Sequence, residues 1–255
     1  MNDAAQDDLV VELSGVTLPS PTQRRGGMVR GLNWRICRGD FWVVTTTQYA
    51  GQRELLFTAA GLQKPEAGRV VIFGQDTSDL GETRWFKERL QIGVVFEHGG
   101  RVLGDMSVAE NISLGLRYHR DCRFEDVETE IVQILDAAGL GPYANSTPGA
   151  MSPGWQQRVA LARALALRPH LFFFEKPLAH LEWQHRNWWM SFIPRLAAGT
   201  VLPGLGPATI VVITDDARPW EGIARQFGVL QRNEWRIHES LPDLDPDGWL
   251  EESDG

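Results

Sequence analysis

Met151-Ser152-Pro153-Gly154-Trp155-Gln156-Gln157-Arg158-Val159-Ala160-Leu161-Ala162-Arg163-Ala164-Leu165 is the stretch on which the fold turns. A short turn, Ser152-Pro153-Gly154, leads straight into a long helical frame. Pro153 deletes one backbone N–H donor at the helix entrance. Trp155 places a large ring beside it. Read alone, the pair is a hydrophobic helix entry, although an aromatic at such a point also serves as an interface anchor or fills a cleft.

Outward from this stretch, compact apolar runs alternate with helical segments. Val43-Val44, Val70-Val71-Ile72-Phe73, Ile92-Gly93-Val94-Val95-Phe96, Leu171-Phe172-Phe173-Phe174 and Ile210-Val211-Val212-Ile213 read as strands buried on both faces, which predicts an α/β core. Between about residues 98 and 165 helical spacing takes over. Val127, Ile131, Ile134, Leu135 and Ala138 share one face, and Gly139 ends the helix. The reading is one domain over 9–240 with a helical subdomain at about 98–165, between acidic tails at 1–8 and 241–255.

The 255 residues are 43% hydrophobic, enough for a substantial core. A net charge of -8 argues against a broad nucleic-acid surface. No apolar run approaches membrane-spanning length, and the acidic start is not a secretory signal. Cys37 and Cys122 lack His or Cys neighbours at metal-ligand spacing, so two reduced cysteines and no metal site are expected.

Two further segments frame the chemistry. The run Phe41-Trp42-Val43-Val44 leads through Thr46-Thr47-Gln48-Tyr49-Ala50-Gly51-Gln52-Arg53 to Leu55-Leu56 and Ala60-Gly61-Leu62. This is a strand, turn and helix in the order of a phosphate-binding loop, whose glycines let backbone N–H groups close around phosphate while a Lys reaches the outer oxygens. Only Gly51 stands where that motif has its residues; Thr46, Gln52 and Arg53 occupy the places of Gly, Lys and Ser/Thr. Downstream, Pro169-His170-Leu171-Phe172-Phe173-Phe174-Glu175-Lys176-Pro177 is an apolar strand ending in charge.

In order and spacing these segments resemble the ATP-binding cassettes of ABC transporters, and the resemblance covers roughly residues 9 to 240. The 151–165 stretch is similar to the family signature, the Gly51 segment to the P-loop, and Glu175-Lys176-Pro177 to the Walker B end. The resemblance implies an ABC-type P-loop NTPase core, a RecA-like sheet flanked by helices with a helical subdomain. It also implies catalytic positions that are degenerate here: Glu97 for the Q-loop glutamine, Glu175 for the Mg²⁺-holding Asp, Lys176 for the general base, Asp215 for the switch histidine, with Ala179-His180-Leu181-Glu182 as the D-loop. A cation cannot act as the base, and that loss alone removes roughly 10²–10⁴ in rate. Arg53 lies about 100° further round the helix than the missing Lys, and its long side chain can still reach an anion.

Ser152 and Gly154 match the positions whose hydroxyl and N–H meet the γ-phosphate of a partner subunit in the head-to-tail dimer. The expectation is a pseudo-ATPase with no cofactor, taking ATP and Mg²⁺ only weakly or at a composite site; the alternative is a divergent but active ATPase. The implied partners are a membrane permease and a second cassette, as homodimer or heterodimer with an intact cassette. Contact with the membrane runs through the permease alone, on the cytoplasmic inner face. Phe96–Ile112 with Leu116-Arg117-Tyr118-His119 resembles the cassettes of Mla/Mkl-type phospholipid-trafficking importers. Glu97, Glu175 and Asp215 are expected to converge near Lys176, which with Arg53 would neutralise them; drift with solvated side chains is the competing reading, and a cryptic metal site a third.

Overall fold

A computed structural model describes residues 8–19, 28–46, 51–79, 87–100, 102–231 and 233–241. The acidic tails fall outside these apart from Asp8 and Leu241, and so do Thr47, Gln48, Tyr49 and Ala50 of the loop before Gly51.

The chain divides into two compact units, 1–36 with 40–78 and 213–255, and 37–39 with 79–212. In the first, strand β1 (Leu9–Thr17) lies between β2 (Leu32–Cys37) and β4 (Ala67–Ile72), and β5 (Gln75–Asp76) extends the sheet. β1 and β4 run antiparallel, with Val11 opposite Ile72 and Leu13 opposite Val70. Strand β3 (Phe41–Thr46) is parallel to β9 (Gln226–Gln231), and β10 (Glu234–His238) closes antiparallel on β9. Every residue of β3 is buried, so its apolar run needs no alternation. Helix α1 (Gln52–Ala59) follows, sinking Leu55 and Leu56.

The second unit carries the parallel pair β6 (Ile92–Val95) and β7 (Leu171–Glu175), with Ile92 opposite Leu171 and Val95 opposite Phe174. Phe172, Phe173 and Phe174 are fully buried. Strand β8 (Thr209–Thr214), also buried throughout, ends in the first unit. The five apolar runs thus form β3, β4, β6, β7 and β8, with Phe73 and Phe96 just beyond the strand ends.

Four helices of this unit are α2 (Val108–Arg120), α3 (Glu128–Ala137), α4 (Pro153–Ala166) and α5 (Trp183–Ala197). Ser107 and Glu110 start α2 as a reciprocal cap, each side chain bonded to the other's backbone N–H. The periodicity from Val127 to Ala138 reads correctly: Val127, Ile131, Ile134, Leu135 and Ala138 are buried, although the first turn, Glu125–Val127, winds as a 3₁₀ helix. The chain leaves through Gly139 at φ +66.

Candidate functional site

At the loop between β3 and α1, Gly51 caps the helix at φ 93. That backbone suits glycine, and a Cβ there would also meet Leu230 Cδ2 at 3.1 Å. Thr46 and Gln52 on either side of the loop are buried, and among the described residues neither the Thr46 Oγ1 nor the Gln52 Nε2 has a hydrogen-bond partner. Arg53 is exposed, and its guanidinium lies 4.9 Å above the Phe57 ring one turn along α1. In the same unit Asp215, just past β8, is exposed, while Asp216 beside it takes a bidentate pair from Arg218.

In the second unit the turn after β6 is anchored to the helix of the 151–165 stretch. Gln157 Nε2 donates to the Glu97 carbonyl at 3.0 Å, and a Cβ at Gly99 would stand 2.9 Å from the Gln156 carbonyl carbon. The Glu97 N–H faces Glu175 Oε2 at 3.5 Å, so two of the expected carboxylate residues meet, backbone to side chain. The Glu97 carboxylate itself points to two imidazoles, His180 Nε2 at 3.6 Å and His98 Nε2 at 3.9 Å. Sequence reasoning missed both histidines as its neighbours: His98 is next to Glu97 in the chain, whereas the contact with His180 is made across loops and nothing local signals it. Lys176 is buried and left-handed at φ 44, and His180 repeats that conformation at φ 55. Such residues are uncommon outside glycine. Asp215, expected beside these residues, belongs to the other unit. Among the described residues no group of His, Cys, Asp or Glu is arranged to hold a metal.

The entrance of α4 departs most from the sequence reading. Ser152 and Pro153 are exposed, and the Ser152 hydroxyl makes no capping bond. The Trp155 and Gln156 N–H groups both turn to the Ser152 carbonyl at 3.0 Å. Trp155 is half-buried and engaged within its own chain, 4.5 Å from Tyr143 and edge-on to His185 at 5.0 Å. These contacts fit the hydrophobic helix entry expected from the sequence. Arg158 spans from Trp155 at 4.6 Å to Trp188 at 4.0 Å, a guanidinium held between two ring faces. Burial pushes its pKa down to about 10, which leaves it charged at neutral pH. Only the spacing of Trp155 and Arg158 on one helix face hinted at this arrangement; Tyr143 and His185 carried no signal.

These two sheet systems, the helix-flanked parallel strands and the ordered turn, strand and helix junctions define an ABC-type P-loop NTPase fold. The ABC transporter family model matches residues 29–179, more than half of the chain, and the protein belongs to that family. It is similar to the lipoprotein-releasing system ATP-binding protein LolD of Acinetobacter baylyi, 32% identical over 61% of this chain and 68% of that protein. It is also similar to the methionine import ATP-binding protein MetN of Lacticaseibacillus paracasei, 30% identical over 88% of this chain and 62% of MetN. The chain thus spans under two thirds of that relative's length. Among solved structures, a post-hydrolysis dimer of the ATP-binding cassette MJ0796 bound to ADP and Pi superposes with a TM-score of 0.77 at 25% identity, covering 91% of this chain and 99% of that one. These relatives are named for ATP binding, so they lend no support to an expected lack of cofactor, and they are named for lipoprotein release and methionine import, not phospholipid traffic.

Proposed function

We propose that the chain is a non-catalytic or weakly nucleotide-binding cassette subunit, working on the cytoplasmic face as a dimer partner beneath a membrane permease. The observation that carries this reading is Gln52. It is buried at the first position of α1, where the helix dipole is already positive, and it is uncharged. A buried lysine there needs an anion opposite it, whereas a neutral amide tolerates an unfilled site at far lower cost. Arg53 lies over Phe57, Lys176 stands at the place of the base and Asp215 at that of the switch histidine, so none of these described positions carries the family's group. A single cassette domain over 9–240 and a charge-offsetting role of Lys176 for Glu175 belong to this proposal; the Glu97 carboxylate faces His98 and His180 instead.

Ser152 and Gly154 support the dimeric part. The exposed, uncapped hydroxyl of Ser152 is available to an ATP held by a second cassette, and MJ0796 is a dimer of this fold. Lipid-related cargo is the substrate class proposed, on the likeness of 96–119 to phospholipid-importer cassettes and on the lipoprotein-releasing relative. Calorimetric titration of the purified chain with MgATP tests the reading: no heat or only weak binding is expected. Micromolar affinity with measurable turnover would establish the alternative, a divergent active ATPase.

A further inference from the structure

His185 is buried on α5, and its ring lies over the first turn of α4. A Cβ at Gly154 would be 2.4 Å from its Cδ2, and Trp155 stands edge-on to it at 90°. Its Nδ1 is buried with no hydrogen-bond partner among the described residues. The charged and titratable groups around it are Arg158 from α4, Glu182 at the start of α5 and Tyr143, reached through Trp155. Arg186, next along α5, is taken up by the Leu178 carbonyl at 3.1 Å.

We propose that His185 is a proton-operated latch on the Ser152–Trp155 turn: neutral, it holds the turn down, and protonated, it leaves. A neutral imidazole packs against Gly154 and Trp155 as a flat aromatic body. A second ring proton adds a charge and a buried N–H with no acceptor, beside a guanidinium that stays charged. Glu182 offsets part of this. Burial first, and then Arg158, hold the imidazole's pKa below the ordinary 6.5. The folded chain therefore binds fewer protons than the unfolded one beneath that pH, and the stability His185 lends above 6.5 is lost as pH falls. Once the ring is expelled, Trp155 loses one of its two aromatic neighbours and the turn bearing Ser152 loosens. The latch stands on this chain alone; its effect on an ATP site closed by Ser152 and Gly154 rests on the pairing proposed above.

Two measurements on the full chain test it. The His185 imidazole, followed by NMR, is expected to titrate below 6.5. Hydrogen exchange of the 151–158 backbone, corrected for intrinsic rates, is expected to lose protection as the pH is lowered through that titration. His185→Phe keeps an aromatic body without a proton site and should abolish the pH dependence; His185→Gln serves if the phenyl ring does not fit. An ordinary or raised midpoint, or protection of 151–158 unchanged through the titration, overturns the latch whether or not the chain binds any cassette.

Discussion

Gly154 lies directly beneath His185, so close that no other residue fits between α4 and α5 without movement. In the family pattern this glycine is read as a phosphate-facing N–H. Here it also has a packing duty: it admits the imidazole that Trp155 leans on. Gly154→Ala is expected to cost about 1–3 kcal/mol of unfolding free energy by overpacking. In a double-mutant cycle with His185→Ala the two losses should not add. Additive losses in urea unfolding would show that the ring and the glycine are not coupled.

If the chain pairs with an intact cassette as proposed, only the site closed by this chain's Ser152 and Gly154 is expected to hold ATP productively. Ser152→Arg places a long side chain at an exposed position of that turn. Co-purification should survive the substitution while ATPase activity of the pair falls. Equal activity in the variant pair would remove the trans site.

Lys176 is buried at the end of a strand whose last residue, Glu175, faces the Glu97 backbone. Lys176→Glu brings a further negative charge to this neighbourhood. If Lys176 offsets these carboxylates, the loss is bounded by the roughly 3–5 kcal/mol of a broken buried pair and is smaller where the groups are wet, so a drop in melting temperature is expected at neutral pH. An unchanged melting temperature would mean the carboxylates are solvated, the drift reading weighed from sequence.

Asp76 gives a measurable acid limb in the first unit. Its carboxylate accepts from the Ser78 hydroxyl at 2.7 Å and the Ser78 N–H at 2.9 Å, and Arg69 adds a charged contact. Ser78 first, then Arg69, hold its pKa down from 3.8 to about 2. The folded-state value is depressed, so the stabilisation is full above 3.8 and is lost as pH falls through about 2. Because Arg69 is largely exposed, screening limits the effect to about 1 kcal/mol. The stability gap between wild type and Asp76→Asn should shrink over this window in urea unfolding. A constant gap would assign the effect to shape alone.

What the sequence determined by itself is whatever depends on short range. Runs such as Phe172-Phe173-Phe174 must be buried on both faces wherever they sit, and the Ile131–Ile134–Leu135 spacing allows only one helical face inward. The order of the motifs identified the family, and the loss of charge at Gln52 was visible as a letter. Tertiary structure decided the partners. Arg53 looked able to reach an anion, yet lies over Phe57; Trp155 looked free for a partner, yet is clasped by Tyr143 and His185; Glu97 looked aimed at Lys176, yet its carboxylate faces His98 and His180. Each of these is a choice of side-chain direction among contacts of similar energy. That choice is made by which element packs alongside. Phe57, one turn from Arg53, and His98, next to Glu97, lie within local reach, whereas Tyr143, His180 and His185 are distant along the chain from the residues they meet and leave no periodic trace of it.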